Sequence, residues 1–218
     1  MPQVHLLRVF CADDGSGGNP LGVFLDGGAV ATEHRQAVAA DLGLSETVFV
    51  DDAERGEIRI FTPAVELDFA GHPVVGTAWL LNGVDVLRAP AGELQVTRDG
   101  DVVYVAARPE WGPPHELLQV GSPDEVEALD GPPAGHDLAA VWAWIDEEAG
   151  TIRARVFPVR IGIPEDEATG SAATKLCMSL GRAIDIRQGR GSRILARRLQ
   201  NGYVEIGGRT VLDGLREL

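Results

Sequence analysis

Cysteine is scarce: Cys11 and Cys177 are the only two in 218 residues. They are too few for a disulfide framework and lack the companions of a metal site. A reduced, cytoplasmic setting is therefore expected. Basic residues are also in short supply, 19 Lys and Arg against 33 Asp and Glu, for a formal charge of −14. That balance argues against nucleic acid or an anionic membrane surface as partner. No apolar run approaches the length of a membrane span. The start, Met1-Pro2-Gln3-Val4-His5, lacks the basic and apolar regions of a secretory signal. The histidines His5, His34, His72, His115 and His136 are scattered without ligand spacing, so no metal is expected. The loop Gly15–Gly18 is followed by no Walker lysine, and no Rossmann glycine spacing occurs. It reads as a turn, and no cofactor is expected.

What the chain does contain is one pattern twice. Ala70-Gly71-His72-Pro73 leads into the apolar run Val74, Val75, Ala78, Trp79, Leu80 and Leu81, followed by Gly83. Proline suits the start of a helix, glycine suits its end, and a run apolar on most sides belongs to a buried helix. The spacing predicts a helix starting near Pro73. About a hundred residues later, Thr169-Gly170-Ser171-Ala172 opens a second such helix, closed by Gly181. Setting Gly71 against Gly170 places His72 opposite Ser171, and Arg59-Ile60-Phe61 matches Arg155-Val156-Phe157 upstream. Two similar half-domains facing one another would bring two helix N-termini to one cleft. Free N–H groups and the helix dipole would favour an anion there.

Around these helices the chain reads as many short strands, hence α+β. Strands are expected over Val4–Phe10, Leu21–Leu25, Ser45–Val50 and Glu57–Thr62, with a loop over Pro63–Phe69. Thr32 reads as the N-cap of a helix over Glu33–Leu42, and Gly43 as its stop. Val84–Arg88, Glu93–Thr97 and Val102–Ala106 form a meander. Pro109–Pro114 reads as the linker between a half-domain over 1–108 and one over 109–218. The second half then holds His115–Val120, a helix over Asp124–Leu129, and strands Leu138–Ile145 and Thr151–Val156. Strands Ile194–Leu199, Val204–Ile206 and Thr210–Leu212 follow its buried helix, with the last strand able to pack on the first half.

Three titratable residues stand out. Glu46 alternates with Val48 and Val50, which puts a carboxylate on an apolar face. Such a group is costly unless paired or raised in pKa, and a raised pKa is what a general acid/base needs. The plainer reading is an edge-strand glutamate facing solvent. His72 is either a cleft residue or a histidine at a helix end with no further role. Asp166, between Glu165 and Glu167, is either a site carboxylate or one of three acids capping the second helix.

Gly18-Asn19-Pro20, Leu44-Ser45-Glu46-Thr47, Phe61-Thr62-Pro63, Ala70-Gly71-His72-Pro73 and Glu165-Asp166-x-Ala-Thr-Gly170-Ser171-Ala resemble the PhzF-like family of phenazine-biosynthesis-type isomerases. The match runs over nearly the whole chain. It implies the diaminopimelate-epimerase fold, two pseudo-symmetric halves, each a barrel-like, mostly antiparallel sheet around a central helix. It further implies Glu46 as the catalytic acid/base, with His72 and Asp166 as catalytic partners. Gly71, Gly170 and Ser171 would bind substrate, and Asn19 would border the site from a loop. The activity implied is cofactor-independent isomerisation of a small carboxylate, in a homodimer. Glu167 stands where the family usually has proline, and the chain is shorter than typical members between Pro109 and Ala154. A two-thiol racemase or epimerase on the same fold would want cysteine at each helix mouth, where Ala70 and Thr169 stand. A non-catalytic carboxylate-binding protein is the remaining alternative.

Overall fold

A computed structural model of the chain describes residues 2–218. The first half runs β1 (Gln3–Cys11), β2 (Asn19–Phe24), α1 (Arg35–Leu42), β3 (Glu46–Asp52), β4 (Glu57–Phe61), β5 (Glu66–Leu67), α2 (Gly71–Leu80), β6 (Val86–Ala89), β7 (Gly92–Asp99) and β8 (Val102–Ala107). The second runs β9 (Glu116–Gln119), α3 (Pro123–Glu127), β10 (Ala139–Asp146), β11 (Thr151–Phe157), α4 (Gly170–Leu180), β12 (Ile184–Gln188), β13 (Ser192–Arg198) and β14 (Val204–Glu217).

The strand pairings repeat. In the first half β2 lies parallel to β3, β3 antiparallel to β4, β4 parallel to β6, and β6–β7–β8 antiparallel. In the second, β9 is parallel to β10, β10 antiparallel to β11, β11 parallel to β12, and β12–β13–β14 antiparallel. The helices fall at matching places: α1 and α3 cross the first parallel pair, α2 and α4 the second. The faint sequence repeat is thus a repeat of supersecondary structure, α+β in class.

β1 and β14 break this symmetry. β14 pairs with β13 and β8 through its first residues and with β1 through the rest. Since β1 also pairs with β2, strands β1, β2, β3, β4, β6, β7, β8 and β14 close into an eight-stranded barrel around α2. Closure leaves no free edge on that side. Inside the barrel, Gly71 through Ala78 of α2 are all buried. Gly76 lets the helix touch β1 and β2: a Cβ there would fall 2.6 Å from Val9 and Leu21 side-chain atoms. The core joins both halves, running from Val74 and Val105 to Ile194 and Ile206. Among the described residues no helix is long and apolar enough to cross a membrane.

Several local expectations are corrected. Thr32 is no N-cap: Thr32–His34 forms a 3-10 turn and α1 begins at Arg35. α2 begins at Gly71, so Pro73 is its third residue, where the absent N–H still lacks an intrahelical partner. Asn19 opens strand β2, opposite Val9, instead of lying in a loop. The loop after β4 carries the two-residue strand β5. Pro109–Pro114 is packed: it contains a 3-10 turn whose Trp111 ring lies 6.0 Å from Phe69 and 5.9 Å from Tyr203. β12 was not anticipated, because its alternating Ile184, Asp185, Ile186 and Arg187 lie directly after a helix stop. The two short strands expected at 204–212 are one strand of 14 residues.

Candidate active site

α2 and α4 meet mouth to mouth. A Cβ on Gly71 would sit 2.5 Å from Gly170 Cα, and one on Gly170 2.7 Å from Gly71 Cα. Only a residue without a side chain permits that approach at either position. Neither mouth is capped by a side chain: the N-caps are Ala70 and Thr169, and neither accepts from its own helix. The surface helix α3, by contrast, is capped by Ser122, which accepts from Glu125 N. The buried helices thus keep unsatisfied N–H groups at one shared point, the makings of an anion site.

A narrow cavity of about 40 Å³ opens there. Gly71, His72, Gly170 and Ser171 line it from the helices, and Glu46 and Asp166 from the flanking segments. A groove of about 610 Å³ over Trp79 and Leu80 is larger. Its charged groups, however, are already paired, Arg209 with Asp101 of the same groove and Arg98 on backbone carbonyls of 78, 81 and 84. The cavity at the helix mouths holds three unpaired buried side-chain atoms, Glu46 Oε2, His72 Nε2 and His115 Nδ1, against Thr210 Oγ1 in the groove.

Glu46 opens β3 and is 8% exposed, which disposes of the solvent-facing reading. Burial pushes its carboxyl up to about 7, with the nearby Ser45 hydroxyl acting weakly the other way. His72, in the first turn of α2, is 3% exposed. Burial pushes its imidazole down to about 4, against the pull of Asp166 and of the nearby Pro20 carbonyl. Its Nε2 lies 3.2 Å from Glu46 Oε2, yet the two are not aligned as a hydrogen bond, and both remain unpartnered. Two buried polar atoms facing one another unsatisfied at a cavity are unusual in a finished core. They are what a ligand would complete.

Asp166 stands on the same cavity but is held on both sides. Its Oδ1 accepts from Asn19 Nδ2 at 2.7 Å and its Oδ2 from Thr169 Oγ1 at 2.6 Å. Burial, then the Glu46 charge, raise its carboxyl to about 6. Neighbouring acids do other work. Glu165 pairs with Arg155, and Glu167 accepts from Arg190 N and Ser192 Oγ. The three-acid capping reading therefore fails, since each acid has a separate partner. Ser192 Oγ in turn accepts from Gly18 N, so Glu167 ties the segment before α4 to the residue preceding Asn19.

Asn19 joins the halves. Its Nδ2 donates to Asp166 and to the Ala168 carbonyl, lies 3.3 Å from His72 Nδ1, and its Oδ1 accepts from Ser45 Oγ. Gln188 of β12 supports the far side, donating to the Asp166 carbonyl and Thr169 Oγ1 and accepting from Thr169 N. The structure thus gathers Glu46, His72, Asp166, Gly71, Gly170 and Ser171 around one cavity, while Asn19 lies behind that lining, bonded to Asp166 and Ser45. Thr169 and His115 also line it and Gln188 braces Thr169 from outside, three residues the sequence did not single out. Thr169 sat inside a quoted motif, but nothing in the pattern around Gln188 or His115 marked either. Among the described residues no group of three or more His, Cys, Asp or Glu is placed to hold a metal ion.

The two cysteines stand away from the helix mouths. Both are buried, and burial raises both thiols, Cys177 to about 11. Neither is poised as a thiolate.

The family model for phenazine biosynthesis-like protein (PhzC-PhzF) matches residues 7–123. Trans-2,3-dihydro-3-hydroxyanthranilate isomerase of Pseudomonas fluorescens is 31% identical over 226 residues, covering 82% of this chain and 80% of that enzyme. The enzyme of the same name from Pseudomonas aeruginosa is 31% identical over 221 residues, with the same coverage. The crystal structure of the Bacillus anthracis phenazine biosynthesis protein, PhzF family, superimposes with a TM-score of 0.81 at 18% identity. That match covers 100% of this chain and 98% of the other. With the duplicated fold, its two joined helix mouths and these relatives taken together, the chain belongs to the phenazine biosynthesis-like PhzF family.

Proposed function

We propose that this isomerase moves a proton between two carbons of a small carboxylate, with Glu46 as the acid/base. The observation that carries this reading is the unpartnered Glu46 Oε2 and His72 Nε2 facing each other at 3.2 Å beside two uncapped helix N-termini. The N–H groups at Gly71 and Gly170 bind the substrate carboxylate, which places an adjacent C–H beside Glu46. The ionised Glu46 takes that proton, and the electron pair left on carbon spreads through the conjugated system. A neutral His72 donates or accepts a hydrogen bond as that charge develops. The protonated Glu46 then gives the proton to a second carbon. No electron is gained or lost, so the step calls for no redox partner.

A pKa near 7 suits a group that must both accept and return a proton at neutral pH. Asp166, with both oxygens occupied, orients Asn19 and His72 and offsets charge instead of acting first. The substrate named for the Pseudomonas relatives, trans-2,3-dihydro-3-hydroxyanthranilate, is the compound to try before other small carboxylates. The same reading has the protein working as a homodimer without a metal, organic cofactor or nucleic acid.

A binding protein with this cavity would hold the ligand and leave its C–H bonds alone. Incubation of the protein with trans-2,3-dihydro-3-hydroxyanthranilate in D2O separates the two. Isomer should form, carrying deuterium at the receiving carbon to the extent that the protonated Glu46 exchanges with solvent before it delivers the proton. Glu46→Gln should abolish isomer formation and exchange alike. Tight binding with neither isomer nor exchange in the wild type would establish the binding protein instead.

A further inference from the structure

His115 stands outside the Glu46, His72 and Asp166 cluster, and the proton transfer above makes no use of it. It immediately precedes β9, the counterpart of β2 in the second half, and it is 7% exposed. Its Nε2 lies 3.1 Å from Ser171 Oγ, and both residues line the cavity. The approach depends on Gly112. A Cβ there would fall 2.6 Å from Ser171 Cβ, so a larger residue would lift the segment off the mouth of α4.

The direction of the His115–Ser171 bond follows from the other ring nitrogen. The Leu138 carbonyl favours a proton on the ring, and Nδ1 has no hydrogen-bond partner of its own. With Nε2 turned to Ser171, Nδ1 is the nitrogen left to carry that proton. Nε2 is then an acceptor, and the single hydroxyl proton of Ser171 goes to it. Burial and then Lys175 hold the imidazole down to about 4, so the ring stays neutral and able to accept at neutral pH. Ser171 is left showing lone pairs, not a proton, to the cavity.

We propose that His115 is a positioning residue that fixes Ser171 as a hydrogen-bond acceptor and so selects carboxylates carrying an N–H or O–H donor beside the carboxylate. The helix N–H groups take the carboxylate, and the neighbouring donor meets Ser171 Oγ. A ligand without that donor buries the acceptor unpaired and loses roughly ten- to a hundredfold in affinity. This inference rests on the cavity being the ligand site.

Anthranilate and benzoate differ only in the amino group beside the carboxylate, and titration calorimetry on the full chain measures each. Wild type should favour anthranilate by about tenfold or more. His115→Phe keeps a ring but offers no acceptor, which frees the Ser171 proton and should collapse the preference. Ser171→Ala should collapse it too, and the double variant should lose nothing further, because the two residues act as one unit. His115→Gln, whose amide oxygen can accept, should restore part of it. A purely structural histidine would weaken both acids together and leave the ratio intact, which would overturn the inference. Should His115→Phe fail to fold, the ratios in Ser171→Ala and His115→Gln decide the matter alone. Binding of neither acid to wild type would defeat the reading of the cavity and the inference with it. Binding of both at an unchanged ratio in the variants would defeat the inference only.

Discussion

Glu46→Gln should slow the enzyme and, at alkaline pH, make it more stable. Burial keeps the Glu46 carboxyl protonated up to about 7, against an ordinary value of 4.5. Between those two values the folded protein holds a proton that the unfolded chain has released. Stability therefore falls as pH rises through that window: the penalty is absent below 4.5 and complete above about 7. A displacement of this size corresponds to about 3 kcal/mol. Glutamine has nearly the same shape as the protonated acid and never ionises.

The two proteins should thus unfold alike near pH 4.5 and diverge above it. At pH 8 the variant should be ahead by about 3 kcal/mol, a gap in Tm of roughly 6–12 °C for a chain this long. Asp166, raised to about 6, loses stability in the same sense as pH climbs, and His72, lowered to about 4, loses it as pH drops. Both are present in either protein and largely cancel, although Glu46 contributes part of the Asp166 rise and the variant relieves it. Scanning calorimetry from pH 4.5 to 8 reads the gap. Turnover measured in parallel should fall by about two to four orders of magnitude. A Tm gap independent of pH would refute the buried, protonated Glu46. Near-full turnover would remove it as the base and pass the role to Asp166.

Gly170→Ala should cost about 1–3 kcal/mol of stability by overpacking against Gly71 and abolish ligand binding, as read by denaturant melts and calorimetry. His72→Ala should raise KM and lower kcat together, because the ring borders both the anion site and the reacting centre; an effect on KM alone would confine it to binding. Wild-type kcat/KM should climb by about tenfold from pH 6 to pH 8 as Glu46 ionises, and Glu46→Gln should flatten that profile. Light scattering at micromolar concentration should return twice the 23.2 kDa chain mass, and a monomer would overturn the dimer. Elemental analysis and an absorbance scan of untagged protein should give neither stoichiometric metal nor a flavin or nicotinamide band.

What could be read in the sequence was the part written in local chemistry. Gly71 with Pro73, and Gly170 with Gly181, mark two helices because glycine and proline have few other reasons to bracket an apolar run. Glu46 stood out because a carboxylate interrupts an apolar face. Register and crossing were not legible. β12 hides because Asp185 and Arg187 alternate with isoleucines immediately after a helix ends, and nothing local says that it pairs in parallel with β11. β14 looked like two strands because the glycines at 207 and 208 read as a break. In the fold they face Tyr104 and Phe10, whose rings fill the space a Cβ would need. The bulge near the end of β1 was equally illegible: Phe10 takes φ 68° where the register against β14 shifts between Val9 and Cys11. His115 and Gln188 were silent because their partners, Ser171 and Thr169, lie 56 and 19 residues away.

A duplicated unit folded against itself would give a symmetric site, two positive helix ends and nothing to move a proton. The chemistry enters where the copies differ. β3 begins with Glu46, while its counterpart β10 begins with Ala139. α2 carries His72 where α4 carries Ser171, and the second acid, Asp166, comes from the approach to α4 with no equivalent before α2. Only one of the two carboxylates is free: Asp166 has a donor on each oxygen, whereas Glu46 Oε2 has none. Two-base racemisation needs two available bases on opposed faces of one carbon. A single available acid/base beside a bound carboxylate instead returns the proton it took, and net change requires delivery to a different atom. The asymmetry that divergence built into the repeat therefore favours shifting a double bond over inverting a centre.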